Sequence, residues 1–203
     1  MNKHFSTRSF VILALLIGLL LLMSTTPLGY MNIGPLAITF NVIPVAIAAI
    51  ALGPVGGAIC GAVFGLTSFL QCIGIGGMSA MGAALFAIHP FYAFVQRFVP
   101  RVLDGFLLGY IFRATNRRAP SSVACMVTGF CSAFLNTLLF MAALILLFGG
   151  TEYVQNLAGG RNWIVFVCTF VGVNAVAEMV SSTVLTGAIG AALIKAGLIH
   201  AEK

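Results

Sequence analysis

The chain has 203 residues, of which 61% are hydrophobic and only 7% are charged. A soluble domain carries about 25% charged residues, so a chain this apolar cannot cover itself with a solvated surface. Several apolar runs have the ~17–25 residues that a helix needs to span a bilayer, and the alternating pattern of a membrane barrel is absent. The composition predicts an all-α integral membrane protein that forms one domain over residues 1–203.

The net charge of +6 comes from 10 lysine and arginine residues against 4 aspartate and glutamate residues. The basic residues stand at the ends of apolar runs, where they orient a membrane protein in its lipid. A nucleic-acid partner is therefore not expected. The five cysteines are scattered and form no C-x-x-C motif, so we interpret them as small apolar core residues and expect no metal site.

The first two predicted helices are residues 9–23 and 36–52. A loop rich in glycine and proline, residues 24–35, joins them. Helix 2 is interrupted by Asn41 and Pro44, and Pro44 is expected to kink it because proline removes a backbone hydrogen bond.

The turn Gly53-Pro54 leads to helix 3, residues 55–70. Glycines recur here every four residues and give the helix one smooth face, which predicts close packing against another helix. These glycines are Gly53, Gly57, Gly61 and Gly65.

Residues 71–96 form the longest predicted linker, which is rich in glycine and ends near His89-Pro90. Its apolar residues favour a lid that folds over a binding site, and the alternative is a short re-entrant or interfacial helix over residues 79–88. His89 and Tyr92 are candidate ligand contacts in this lid. A single histidine is nevertheless more often a hydrogen-bonded loop residue.

Three further helices are predicted at residues 100–112, 123–148 and 162–196. A basic turn, residues 113–122, and a polar loop, residues 149–161, separate them. The prediction is therefore six transmembrane helices in all.

Six helices place both termini on the same side, and the positive-inside rule puts that side in the cytoplasm of a multi-pass cell-membrane protein. The inner side then holds seven cations: Lys3, Arg8, Arg113, Arg117, Arg118, Lys195 and Lys203. The outer side holds three: Arg97, Arg101 and Arg161. The longer loops all face outward with Arg101, which predicts an outward-facing ligand cavity covered by loops.

Arg97, Arg101 and Asp104 interrupt an otherwise apolar stretch. An arginine at the mouth of a membrane helix is costly unless it faces protein or water, so we predict an anion contact in the cavity. The alternative is an interfacial arginine that reaches the headgroups. Arg101 follows Pro100, so the predicted helix start adds its positive dipole end. Asp104, one turn on, is expected to hold the guanidinium in place, and the ligand is expected to carry a carboxylate.

Five further polar residues lie inside apolar helices: Asn41, Asn136, Thr137, Asn174 and Glu178. Polar groups in a bilayer face the bundle interior or a cavity, and asparagine offers both donors and acceptors. This set is predicted to bind ligand hydroxyl and amide groups. Interhelical hydrogen bonding is the alternative, and Glu178 could instead carry protons in a secondary transporter.

The sequence lacks the motifs of an enzyme. It has no G-x-x-x-x-G-K-[ST], no H-E-x-x-H, no G-x-S-x-G and no paired-carboxylate site. We therefore expect no catalytic residue and no cofactor bound by this chain.

Several stretches nevertheless resemble a known family. These are residues 26–69, with N-V-I-P-V-A-I-A-A-I-A-L-G-P-V-G-G, and residues 98–105 (F-V-P-R-V-L-D-G), 135–138 (L-N-T-L) and 173–178 (V-N-A-V-A-E). Together they resemble the substrate-binding S components of energy-coupling factor (ECF) vitamin transporters. The pantothenate-type subgroup is the nearest, and it is similar to the cobalamin and hydroxymethylpyrimidine types.

The resemblance implies a six-helix membrane protein that binds a vitamin on its outer face and has no ATPase activity. A transmembrane coupling subunit and two ABC ATPases, which use ATP and Mg, would drive transport. Two loops, between helices 1 and 2 and between helices 3 and 4, would close over the ligand. An A-x-x-x-A motif in helix 1 would dock the coupling subunit, and Ala14 and Gly18 match it with glycine in the second position.

Two rival interpretations remain at this point. One is a stand-alone secondary transporter coupled to protons through Glu178. The other is a structural membrane protein whose polar residues only pack helices.

Overall fold

The computed structural model describes residues 7–26, 29–32 and 37–199. In chain order the elements are α1 (Thr7–Thr25), β1 (Tyr30–Asn32), β2 (Ala37–Thr39), α2 (Val42–Leu70), a 3-10 turn (Gln71–Ile73), α3 (Ala80–Ile88), α4 (Pro90–Asn116), α5 (Ser121–Phe148), α6 (Glu152–Ala158) and α7 (Trp163–Lys195). The predicted all-helical fold is confirmed, with one small antiparallel hairpin, β1–β2, between α1 and α2. Lys3 and Lys203, which entered the predicted charge balance, lie outside the described residues.

Four helical segments of the described chain are long and apolar enough to cross a bilayer. They are α1, α2 with the 3-10 turn that follows it, α5, and the Asn174–Lys195 part of α7. This confirms a multi-pass membrane protein. The remaining long helix, α4, is set apart by its charges, which are Arg97, Arg101, Asp104 and Arg113.

The break between predicted helices 2 and 3 is confirmed, although the kink is not at Pro44. Helix α2 starts at Val42, because residues 37–39 pair in the hairpin and Asn41 is the N-cap. Pro44 therefore lies in the first turn, where its missing N–H removes no helical bond. The helix breaks at Gly53, whose φ of 74° suits glycine and leads into Pro54.

The predicted start of helix 4 at residue 100 is wrong. Helix α4 begins at Pro90, and the Nδ1 atom of His89 caps it by accepting a hydrogen bond from the backbone N–H of Tyr92 at 3.3 Å. Proline at the first helical position is favourable, and Pro100 lies inside the helix. Within the predicted lid, Ser79 caps α3, as in the alternative of a short helix.

Helices α2 and α4 pack with their backbones in contact, as the glycine spacing predicted. A side chain at Gly57 would collide with the carbonyl of Gly105, and one at Gly61 with the carbonyl of Arg101. At Gly65 it would come within 2.9 Å of the Cα of Phe98. The seam fixes the rotation of α4, and with it the direction of its charged side chains.

Apolar residues form three buried clusters along the bundle. One cluster joins α3 and α6 to α5 and the start of α7, a second centres on the first half of α2, and a third lies near the described chain ends around Phe112 and Ile199. Cys60 belongs to the second and Cys125 to the third. Cys168 is exposed, so the prediction that every cysteine is a core residue is wrong there.

Candidate ligand site

Two buried arginines lie one turn apart on the same face of α4. Arg97 and Arg101 are 6% and 4% exposed, and the Nη1 of Arg101 donates to the Arg97 carbonyl at 2.8 Å. The Arg101 guanidinium carbon is 4.5 Å from the ring centre of Phe64 and 5.4 Å from that of Phe140, and the Arg97 carbon is 5.2 Å from the Phe140 ring. Aromatic faces attract buried cations, so these rings hold the guanidinium groups in place.

Arg97 connects three helices. Its Nη1 donates to Ser68 Oγ on α2 at 3.3 Å, and its Nη2 donates to Ser79 Oγ at the cap of α3 at 3.2 Å. Gly82 allows this approach, because a side chain there would lie within 3.0 Å of Arg97 Nη2 and 2.8 Å of Cys72 Sγ. The lid segment that contains α3 is therefore attached directly to an arginine of the site.

Two buried carboxylates accompany the arginines. Asp104 is 1% exposed and Glu178 6% exposed, and both lie within electrostatic range of Arg101. We call these four residues, Arg97, Arg101, Asp104 and Glu178, the charged cluster. The cluster contains two basic and two acidic side chains, so at its formal charges it is neutral.

Amide side chains are also buried in the bundle. Asn41 and Gln96 are completely buried and Asn136 is 6% exposed. Among the described residues, no hydrogen-bond partner is found for either side-chain polar atom of Asn41 and Gln96, or for Asn136 Oδ1. Buried polar atoms in proteins are nearly always hydrogen-bonded, so a ligand with hydroxyl or amide groups suits these positions.

Helix spacing and hydrogen bonds link three asparagines to the charged cluster. Asn136 lies one turn before Phe140 on α5, and Phe140 contacts both guanidinium groups. Asn174, 9% exposed, lies one turn before Glu178 on α7. Asn41 belongs to the segment that Glu178 contacts through Thr39. Six of the predicted ligand contacts are thus brought together: Arg97, Arg101, Asn41, Asn136, Asn174 and Glu178.

His89 and Tyr92 lie apart from this group. Both are exposed at the start of α4, where their rings stack with centres 4.0 Å apart. Eight residues of helix, about 12 Å, separate His89 from Arg97. Their contact with the ligand stays a prediction. The proposed dipole effect at Arg101 is wrong, because α4 starts eleven residues earlier, at Pro90.

The sequence analysis missed several residues of the site. Phe64, Phe140 and Ser68 looked like ordinary residues of membrane helices, and only the rotation of α2 and α5 shows that they face the arginines. Gln96 could have been found, because it is a polar residue beside Arg97 in an apolar stretch. Ser79 carried the signal of a helix cap.

The predicted docking face of α1 is exposed. Ala14 and Gly18 point away from the bundle, and a side chain built at Gly18 meets no atom within 4 Å among the described residues. Exposed apolar residues flank them, including Val11, Leu15 and Leu22. This face is available to lipid or to another helix, and docking there stays a prediction.

The fold is that of a multi-pass helical membrane protein that buries two arginines, two carboxyl groups and several amides in its interior. The sequence profile "ECF transporter, substrate-specific component" matches residues 8–198. The chain belongs to this family, which decides against a stand-alone secondary transporter and against a purely structural protein.

Two relatives share most of this chain. A protein of Leuconostoc mesenteroides subsp. mesenteroides described as "Pantothenate transporter PanT" is 29% identical over 201 residues, which cover 93% of each chain. A protein of Lactococcus lactis subsp. cremoris described as "Pantothenic acid transporter PanT" is 28% identical over 203 residues, covering 96% of this chain and 97% of the relative.

Proposed function

We propose that this chain is the pantothenate-binding component of an ECF importer, with the ligand held between the Arg97–Arg101 pair and the buried amides. Pantothenate has a carboxylate, an amide and two hydroxyl groups. The buried Arg97–Arg101 pair suits the carboxylate, and Asn41 and Asn136 suit the neutral polar groups. The observation that carries the proposal is this pair of buried arginines beside amides whose polar atoms have no partner in the described chain.

Arg101 is assigned to the carboxylate. Two serine hydroxyls engage both terminal nitrogens of Arg97, which gives Arg97 a role in holding α3. Arg101 lies between two aromatic rings and near both acids of the cluster. The ligand carboxylate would therefore compete with Asp104 and Glu178 for this guanidinium.

The proposed arrangement has six spans, formed by α1, the two parts of α2 on either side of Gly53, α4, α5 and α7. The side chain of Arg8 donates to the carbonyl of Gly197, so the two described ends of the chain meet. Ile12, near the start of α1, packs in the same cluster as Phe112. Twelve residues, about 18 Å of helix, separate Arg101 from Arg113. This supports cytoplasmic termini and a cavity open to the outside.

Cysteine labelling tests the orientation in whole cells. Ser121→Cys at the start of α5 is expected to resist a reagent that cannot cross the membrane, while Asn156→Cys in α6 reacts. The exposed Cys168 is first replaced by serine in both variants. The reverse labelling pattern would contradict both the orientation and the outward site.

Partners are part of the same proposal. A transmembrane coupling subunit and two ABC ATPases would supply transport energy from ATP and Mg, which this chain would not bind. The exposed face around Ala14 and Gly18 is the proposed docking surface. Uptake is expected to stop when the ATPases are deleted, while the purified chain still binds ligand.

Calorimetric titration of the purified chain tests the ligand. Pantothenate is expected to bind saturably, and cobalamin and hydroxymethylpyrimidine to bind weakly, because they lack a carboxylate for Arg101. Saturable binding of either of these with no binding of pantothenate would overturn the assignment.

A further inference from the structure

The junction between β2 and α2 is hydrogen-bonded to two other helices, α7 and α5. The backbone N–H of Thr39, in β2, donates to Glu178 Oε1 on α7 at 2.7 Å. Ser132 Oγ on α5 donates to the Val42 carbonyl at 3.1 Å. Both bonds are buried, and they join residues 139 and 90 positions apart. Long-range bonds of this kind fix a segment that its short strands alone would hold weakly.

Thr39, which bonds to Glu178, also bonds to Asn41. Thr39 Oγ1 accepts a hydrogen bond from the Asn41 backbone N–H at 3.3 Å. Thr39 therefore bonds to Glu178 through its backbone N–H and to the Asn41 backbone through its side-chain oxygen. Asn41 is completely buried, and its side-chain amide has no partner among the described residues.

We propose that Glu178 is a positioning residue that acts through Thr39 to hold the Asn41 amide against the ligand, and does not itself touch the ligand. The inference rests on the proposed function and names the task of one residue of that site. A carboxylate forms a strong, charge-assisted bond with a backbone N–H, and Glu178 also lies within electrostatic range of Arg101. The same side chain thus sets the distance between the arginine and the amide. It selects a small acid with a hydroxyl or amide group at that distance from its carboxylate.

The first test needs no ligand. Amide hydrogen exchange is measured in lipid nanodiscs on peptides covering residues 37–44. Glu178→Ala is expected to speed exchange of the Thr39 amide about tenfold or more, because the bond that protects it is lost. Glu178→Gln keeps an acceptor oxygen and is expected to restore most of the protection. Glu152→Ala, which removes an exposed acid from α6, is the control. Unchanged exchange in Glu178→Ala would overturn the proposed hold on Thr39.

The second test is calorimetric titration of the same variants with pantothenate. Glu178→Ala is expected to weaken binding about tenfold, and Glu178→Gln to recover most of that loss. Adding Glu178→Ala to Asn41→Ala is expected to cost little more than Asn41→Ala alone, since one acts through the other. Additive losses, or a loss in Glu178→Gln equal to that in Glu178→Ala, would show that Glu178 touches the ligand.

A milder variant covers the case in which Glu178→Ala does not fold. Thr39→Val keeps the N–H that Glu178 holds and removes the oxygen that Asn41 uses. It is expected to weaken pantothenate binding as much as Asn41→Ala, with the Thr39 amide still protected. Wild-type affinity in Thr39→Val would overturn the proposal. If the wild-type chain binds no pantothenate, the proposed function fails, and the exchange experiment still decides whether Glu178 holds Thr39.

Discussion

The two halves of α4 are equally buried and have opposite chemistry. In residues 105–112 the helix contacts α2 through glycines, and its buried side chains are Leu108 and Phe112. In residues 96–104 the buried side chains include an amide, two arginines and an aspartate. Burial alone therefore does not distinguish packing from function on this helix.

The two halves differ in the contacts that their buried side chains need. Both halves touch the backbone of α2, residues 105–112 at Gly57 and residues 96–104 at Gly61 and Gly65. In residues 105–112 this contact and apolar packing are sufficient, because the small residues leave no room for anything else. The polar side chains of residues 96–104 depend in addition on distant side chains, namely the rings of Phe64 and Phe140 and the hydroxyls of Ser68 and Ser79. Close packing against α2 therefore fixes the direction of the two buried arginines that the proposed ligand would meet.

Gly57→Leu would break the glycine packing of residues 105–112 and is expected to have the largest effect. Overpacking costs about 1–3 kcal/mol in an ordinary core, and here the backbone of Gly105 occupies the space. The melting temperature should fall, and little monodisperse protein should remain by size-exclusion chromatography. Gly172→Leu is the control, because its Cβ meets no atom within 4 Å in the described chain. Wild-type stability of Gly57→Leu would mean that α2 and α4 are not in backbone contact.

Arg101→Ala would remove the proposed anion contact in residues 96–104. Binding of pantothenate should weaken by about 2–4 kcal/mol, as expected when a charge-assisted pair loses one partner. Arg101→Lys should recover only part, since lysine lacks the planar fork. The control is Arg161→Ala, which removes an exposed arginine bonded to Thr169 and should leave affinity unchanged. Calorimetry on monodisperse samples measures all three, and full affinity in Arg101→Ala would reduce this residue to a structural role.

Asn136→Leu is expected to have the smallest effect and to separate binding from stability. Affinity should fall by about 1 kcal/mol for one lost neutral hydrogen bond. The melting temperature should hold or rise, because Asn136 Oδ1 has no protein partner in the described chain. Asn156→Leu, an exposed asparagine in α6, is the control for both measurements. A large loss of stability in Asn136→Leu would show that it bonds to another helix instead of to ligand.

Sequence patterns predicted the regular parts of this fold well. Predicted helices 123–148 and 162–196 lie within two residues of α5 and α7 at each end, because long apolar runs end in polar loops. The glycine spacing predicted that this part of α2 packs closely against another helix, and the structure shows that the partner is α4. The start of α4 was missed because His89-Pro90 is a turn signal as well as a helix start, and tertiary packing decided between them.

The site was predictable only where residue type is rare. Arg97, Arg101 and Glu178 stand out because the chain has only 14 Lys, Arg, Asp and Glu residues. Phe64 and Phe140 do not stand out among 17 phenylalanines. Their role depends on helix rotation, and the bond between Thr39 and Glu178 depends on the whole bundle.

The central claim is that Arg101 binds the carboxylate of the ligand. The most direct test removes each partner in turn and measures binding. Wild type and Arg101→Ala are each titrated with pantothenate and with its alcohol analogue, in which a hydroxymethyl group replaces the carboxylate. Wild type should favour the acid by about 1.5–3 kcal/mol, the strength of a hydrogen bond to a charged group, and Arg101→Ala should bind both compounds equally weakly. An Arg101→Ala variant that still favours the acid by the full wild-type margin would contradict the account, because the carboxylate would then be bound elsewhere.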